Sequence, residues 1–359
     1  MMNSKLNNIW IIDTTLRDGE QSPGVCFRPE DRIVIAKILN ETGINELEAG
    51  IPAMGGAARK ELSAINGLGL SSRITGWCRA LKIDIESAEQ CGLNSVHISF
   101  PVSDRQLNAF GKGCSWVLKS LEDIIPFACE RFAYVSVGAQ DATRCDRLFL
   151  GKFMERASGL GAYRVRIADT VGVSTPFDIY NLIKDMNLSG ETEIEFHGHN
   201  DLGMATANAL AAAEAGASAL SVTVNGLGER SGNVPLEQIA VALNLSGKFN
   251  TSVDTKLLMN LCSYVAEASG RPIPADKPIT GSGAFLHESG IHCAGLLKDP
   301  LSYQPFLPES VGRAGFNFVL GRQSGAQSIM HMLGKAGIDV SKDEALRLKE
   351  VLCLDAMEL

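Results

Sequence analysis

No apolar run in this sequence approaches the roughly 20 residues that a membrane-spanning helix needs. There is no Cys-x-x-Cys pair, and the nine cysteines, an odd number, are scattered from Cys26 to Cys353. That excludes a disulfide framework and fits reduced thiols in a cytoplasmic protein. Residues 1–8 hold neither the apolar stretch nor the small-residue cleavage site of a secretory signal, which points the same way. A basic excess is also missing. The formal charge of −8 argues against a nucleic-acid surface, while leaving room for a local basic pocket that takes an anionic substrate. No Gly-x-Gly-x-x-Gly follows the first apolar run, which counts against a dinucleotide-binding open sheet.

What is present is an ordinary globular composition, 45% hydrophobic and 21% charged over 359 residues. That suffices for one large domain and a smaller appendage. The pattern predicts strands at 9–13, 44–50, 73–78, 95–100, 132–138, 163–169, 193–199 and 219–224, each followed by a helix. A longer connection, 101–115, precedes the fourth helix. Strictly alternating strands and helices imply parallel strands covered by helices. Eight such units closing on themselves give the (β/α)8 TIM barrel, with a doubly wound open sheet as the alternative. After Leu245 the rhythm stops. We therefore expect a catalytic barrel over 1–250, a linker helix and Pro/Gly-rich connector over 251–280, and a small, mainly helical unit over 281–359. The last is too loop-rich for a large core of its own and should pack on a barrel, its own or a partner's.

Barrel chemistry gathers at the carboxyl ends of the strands. Here those ends carry Arg17, Asp18 and Gln21 after the first strand, and Glu48 at the second. Gln140 and Asp141 follow the fifth strand, and Asp169 and Thr170 the sixth. His197 and His199 end the seventh, and Glu229, Arg230 and Asn233 follow the eighth. Residues two apart on a strand share a face, so both imidazoles can reach one cation. The other reading is a pair of half-exposed histidines at a strand end. Asp18 would add a carboxylate and Asn233 an amide oxygen. That donor set suits Mg2+ or Mn2+, with Zn2+ possible. Asp18 could instead be a turn former beside Gly19, and Asn233 a helix cap before Pro235. Arg17 could steady an oxygen that gains charge, or serve as a structural ion pair.

Two long stretches carry a specific resemblance. Asp13-Thr14-Thr15-Leu16-Arg17-Asp18-Gly19-Glu20-Gln21 resembles the N-terminal signature of the 2-isopropylmalate synthase and homocitrate synthase family. His197-Gly198-His199-Asn200-Asp201-Leu202-Gly203, with 225–233, resembles its second signature. Within the family the chain looks most like the nitrogen-fixation type of homocitrate synthase, on Trp77-Cys78-Arg79, 100–104 and 168–172. The resemblance implies a Claisen condensation of acetyl-CoA with 2-oxoglutarate. By position, Asp18, His197, His199 and Asn233 become metal ligands. Arg17, Gln21 and Thr170 become substrate contacts, and Arg17, His292 and Tyr303 catalytic groups. It also implies a homodimer in which His292 acts in the partner's barrel.

The departures from the family pattern are Gln140, where many relatives have glutamate, and Ser136, where lysine-pathway enzymes have arginine. Asp141 or a water would replace the first, and Arg79 the second. No feedback inhibition by leucine is expected. Synthases for 2-isopropylmalate or citramalate, a carbon–carbon lyase of the 3-hydroxy-3-methylglutaryl-CoA type, and an inactive metal-binding protein are the alternatives.

Overall fold

A computed structural model describes residues 6–186 and 192–355. The terminal residues that the sequence reading placed in its two domains, 1–5 and 356–359, lie outside them. The chain divides into two compact units. One comprises 6–254 and 261–272; the other comprises 255–260 and 273–355.

The first unit is a closed barrel of eight parallel strands in sequence order. We label them β1 (Trp10–Asp13), β2 (Glu46–Gly50), β3 (Arg73–Arg79), β4 (Ser95–Pro101), β5 (Tyr134–Gln140), β6 (Arg164–Asp169), β7 (Glu193–Gly198) and β8 (Ala219–Val222). Closure is made by β1 on β8, where Ile12 pairs with Ser221. The barrel expected from the alternating pattern is therefore the one observed, and the open sheet is excluded. The connection after β4 is not wholly irregular, because it holds a helix, Asp104–Ala109. Ser103 caps it by accepting from the Gln106 amide at 3.3 Å. A six-residue helix is too short to show a 3.6-residue period, which is why the sequence hid it.

The interior departs from the usual layers of branched apolar side chains. Along β2, β6 and β7 charged and apolar residues alternate: Glu46-Leu-Glu48, Arg164-Val-Arg166, Glu195-Phe-His197. All nine are buried. Period-two alternation turns Leu47, Val165 and Phe196 outward to the helices and the charges inward. There Arg166 donates to Glu48 at 2.6 Å and to Glu195 at 2.5 Å. Arg164 donates to Glu46 at 3.0 Å, and Ser221 donates to Glu195. The opposed charges hold each other ionised. Burial would raise the Glu48 carboxyl, but the Arg166 and Arg17 guanidiniums bring it well below the usual range. Burial would likewise lower Arg166, and Glu195 and Glu48 push it up instead.

The second unit has a small core of Cys293, Leu296 and Phe318, with Phe316 and Met332 packed against it. Two-residue strands, Leu286–His287 and Asn317–Phe318, pair in parallel. A short helix, Gly290–Leu296, lies between them in the chain. Helices Ala326–Lys335 and Lys342–Asp355 follow. Among the described residues no helix is long and apolar enough to cross a membrane.

Candidate active site

The turn after β1 throws two side chains over the barrel mouth. The Thr14 carbonyl accepts from the amides of Arg17 (3.0 Å), Asp18 (2.8 Å) and Gly19 (3.1 Å). Thr15 ties the turn down by accepting from the Val224 amide at 2.8 Å, while Asp13 accepts from the Thr15 amide and hydroxyl. Asp18 precedes the one-turn helix Gly19–Gln21 without capping it, so its carboxylate is free to face inward.

It meets both histidines. Asp18 Oδ2 lies 3.0 Å from His197 Nε2 and 3.9 Å from His199 Nε2, and the two Nε2 atoms are 3.2 Å apart. Ligand bonds of about 2.0–2.2 Å at right angles place neighbouring donors roughly 3 Å apart. All three residues are buried, and together they form the group of side chains fit to hold a metal ion. Burial, with His197 alongside, pushes His199 down to about 4, so its imidazole is neutral at neutral pH and keeps a lone pair for a cation. Burial alone would raise the Asp18 carboxyl; the Arg17 charge and the His197 hydrogen bond overcome it and hold the group well below its usual range. The half-exposed reading of the two histidines is thereby excluded.

Asn233 does not cap a helix, since Pro235 occupies that position before Leu236–Ser246. Its backbone bridges to His199, its Nδ2 donates to the Leu227 carbonyl at 2.8 Å, and its Oδ1 is buried with no donor. A buried amide oxygen without a partner is costly, and a cation would relieve it. Gly228 makes this pose possible, because a Cβ there would stand 2.2 Å from Asn233 Nδ2.

A cavity of about 250 Å³ opens beside these groups. Pockets for drug-sized ligands run from about 300 Å³ upward, so this one suits a small metabolite. Arg17 and Gln21 line it, with Arg17 lying 5.7 Å from the centre of the Trp77 ring. Arg17 bonds Glu48 at 2.5 Å and Asp18 at 3.2 Å. Thr170 also lines the cavity; its hydroxyl oxygen accepts from the Asp141 amide at 2.8 Å, which leaves the O–H to donate.

Two sequence expectations fail here. Asp141 takes the Arg144 guanidinium at 2.8 and 2.7 Å and the Ser103 hydroxyl, so its carboxylate is committed and cannot replace a glutamate at 140. Arg79 pairs with Asp84 at 2.8 Å, is mostly exposed, and does not line the cavity, so it is no substitute for an arginine at 136. In the second unit the His292 and Tyr303 rings stack with centroids 4.2 Å apart. Arg166 and His97 line the cavity and were not singled out from sequence. The signal for Arg166 was the period-two charge pattern; a lone histidine in an apolar strand gave none for His97.

Burial pushes the Asp13 carboxyl up to about 7, against the pull of the Thr15 bonds. A raised acid is neutral below that pH, so its contribution to stability is lost as pH climbs through about 7. Asp13→Asn should remove this dependence. Unfolding free energies from denaturant titrations at about pH 5 and pH 7.5 should fall more for the parent than for the variant, by at most about 1.4 kcal/mol per pH unit below about pH 7. Equal falls would contradict the shift.

The profile described as HMGL-like matches residues 8–265, and one described as homocitrate synthase post-HMGL domain-like matches 279–352. Homocitrate synthase 1 of a Nostoc species is 43% identical over 94% of this chain and 90% of its own. 2-Isopropylmalate synthase 2 of Caldanaerobacter subterraneus is 44% identical over 94% of this chain and 88% of its own. The solved structure of a Bacillus subtilis HMG-CoA lyase matches with a TM-score of 0.66 at 21% identity, over 75% of this chain and 96% of that one, which is a likeness of fold.

Proposed function

This chain belongs to the HMGL-like family, and from that premise we propose that it is an acyltransferase condensing acetyl-CoA with a 2-oxo acid, specifically 2-oxoglutarate. The products would be homocitrate and CoA, water cleaving the thioester after the carbon–carbon bond forms. The observation that carries the reading is the meeting of Asp18, His197 and His199 beside a small cavity lined by Arg17, Gln21 and Thr170. The nitrogen-fixation-type stretches noted in the sequence support nitrogenase cofactor synthesis as the fate of the product.

Asp18, His197, His199 and Asn233 would hold a divalent ion, Mg2+ or Mn2+ by the mixed nitrogen–oxygen donors, whose chemistry there is Lewis-acid polarisation of the keto carbonyl. Arg17, beside Asp18, would stabilise the oxygen that becomes negative. The Thr170 O–H would donate to the substrate carboxylate. His292, stacked on Tyr303, would take the methyl proton of acetyl-CoA. Gln140 carries no proton that it can exchange, so it takes no acid–base part.

We assign His292 of the partner subunit to each barrel, in a homodimer. Mixing His292→Ala chains with Asp18→Ala chains should then recover part of the activity, and no recovery would place both groups in one chain. For the substrate, CoA release should be fastest with 2-oxoglutarate. A preference for 2-oxoisovalerate, the reading favoured by the Caldanaerobacter relative, would overturn the homocitrate assignment. A lyase lacks the support of the match over 279–352, and carbon–carbon cleavage outrunning condensation would establish it.

A further inference from the structure

The barrel has a second mouth, and a cavity of about 450 Å³ opens there. Its lining comes from the amino ends of neighbouring strands. Trp10, Arg73 and Tyr134 are the first residues of β1, β3 and β5, while Asn45 and Asn94 stand just before β2 and β4. Asn66, the last residue of the helix Gly56–Asn66, and the loop after it complete the wall. Barrel chemistry gathers at the opposite, carboxyl end, so this cavity is separate from the one beside Asp18.

Among the described lining residues Arg73 alone is charged. Its side chain is mostly buried, and its Cζ lies 3.6 Å from the centre of the Tyr134 ring, 5.1 Å from Trp10 and 5.3 Å from Tyr163. Packing against rings holds a guanidinium without using its N–H donors. Nη1 donates to the Tyr163 hydroxyl at 2.7 Å and comes only within 3.4 Å of Glu46. Among the described residues nothing accepts from Nε or Nη2, an edge that matches the two oxygens of a carboxylate. The nearby amides are half used. Asn45 Oδ1 accepts from the Ile11 amide and Asn66 Nδ2 donates to the Gly92 carbonyl, both at 2.8 Å. The Asn45 NH2 and the Asn66 oxygen remain for a ligand. One cation among neutral amides suits one negative charge on a hydrogen-bonding body; a di- or tricarboxylate would keep charges unpaired there.

Glu46 connects this mouth to the other. Its Oε2 accepts from Arg164 at 3.0 Å and from Trp10 Nε1 at 3.1 Å, as well as facing Arg73. From Arg164, ion pairs run along the barrel interior to Glu195 at 3.9 Å, and on through Arg166 at 2.5 Å and Glu48 at 2.6 Å. They continue to Arg17 at 2.5 Å and Asp18 at 3.2 Å. The 3.9 Å step is the slack joint, since Glu195 Oε2 is buried and accepts no hydrogen bond among the described residues.

We propose that the amino-end cavity is an effector site for a small, polar monocarboxylate, the chemistry of a neutral amino acid or a hydroxy acid. The carboxylate takes the Nε–Nη2 edge of Arg73, and Asn45 and Asn66 take the ligand's other polar groups. A carboxylate on Arg73 relieves Glu46 of that charge, and Glu46 turns to Arg164. Arg164 then holds Glu195 differently across the slack joint, and the change passes through Arg166 and Glu48 to Arg17. The ligand acts because it competes with Glu46 in one arrangement and not in the other. The regulatory half rests on the reading of the carboxyl-end cavity as the condensation site; the binding half does not.

The test is titration calorimetry on the full chain with L-glutamine and D-glycerate, against propionate, which lacks a polar body, and inorganic phosphate. One of the first two should bind with a Kd of about 1 mM and more tightly than either control, glutamine marking an amino-acid site and glycerate a hydroxy-acid site. Arg73→Met should raise that Kd about ten- to a hundredfold, the range for hydrogen bonds to a charged group. Arg73→Lys keeps the charge beside Glu46 and loses the fork, so it should fall between and guards against a folding defect in the methionine variant. The bound acid should change kcat/KM for CoA release about fivefold or more in the parent, and not in Arg73→Met. No binding of either acid, tighter binding of phosphate, or equal binding by the parent and both variants overturns the site. Binding that leaves kcat/KM unchanged overturns its regulatory role. A parent chain that releases no CoA with any 2-oxo acid overturns the condensation reading instead, and calorimetry still decides the cavity, so the two failures are distinguishable.

Discussion

Asp18→Asn should lower kcat/KM for condensation by at least about a thousandfold, the scale of losing several kcal/mol of Lewis-acid stabilisation. The substitution preserves shape and removes charge. It takes away the carboxylate whose oxygen lies 3.0 Å from His197 Nε2, and with it the anionic donor of the cluster. Mn2+ affinity, measured by titration calorimetry, should fall along with the rate. The fold should hold, because Arg17 retains Glu48 at 2.5 Å. Near-parental activity and affinity in a folded Asp18→Asn chain would mean that the cluster is a structural ion pair.

Arg166→Leu should be the most damaging single change to stability in the barrel. Arg166 is the cation between Glu48 and Glu195, at 2.6 and 2.5 Å, and both carboxylates are buried. Removing it leaves Glu195 without its close cation and Glu48 with Arg17 alone, in a low-dielectric interior, at a cost of about 3–5 kcal/mol. Replacing all three residues by apolar ones of similar volume should cost much less, since the penalty comes from unpaired charge and not from the absence of an ion pair. Chemical denaturation of the single and triple variants would show this order. A triple variant less stable than Arg166→Leu would refute the argument.

The contrast between these two sites shows what could be read from the residues in order. The eight-unit rhythm was legible because most strands are short, largely apolar runs set between helices that repeat on their own period. The candidate cation site was legible because His197 and His199 sit two apart and Asp18 follows the strand that closes against β8. The interior ion network was written in the same code, as charges alternating with apolar residues in β2, β6 and β7. It escaped notice because such alternation more often marks a strand with one wet face. Arg79 and Asp141 were misplaced for a different reason. Both lie at strand ends, where position suggests chemistry, yet each is captured locally, Arg79 by Asp84 and Asp141 by Arg144 and Ser103. Local ion pairs formed within five residues are decided by rotamers, which spacing does not reveal. The stacked His292 and Tyr303 became visible only through the family likeness, since one lies in a seven-residue helix and the other in irregular chain, and no periodic signal links them.

The decisive measurement is CoA release by chain stripped with a chelator, before and after Mn2+ is titrated back. Coordination by Asp18, the paired imidazoles and Asn233 predicts a silent apo-protein whose turnover returns in full at one equivalent of ion. Undiminished turnover in the stripped chain would contradict it.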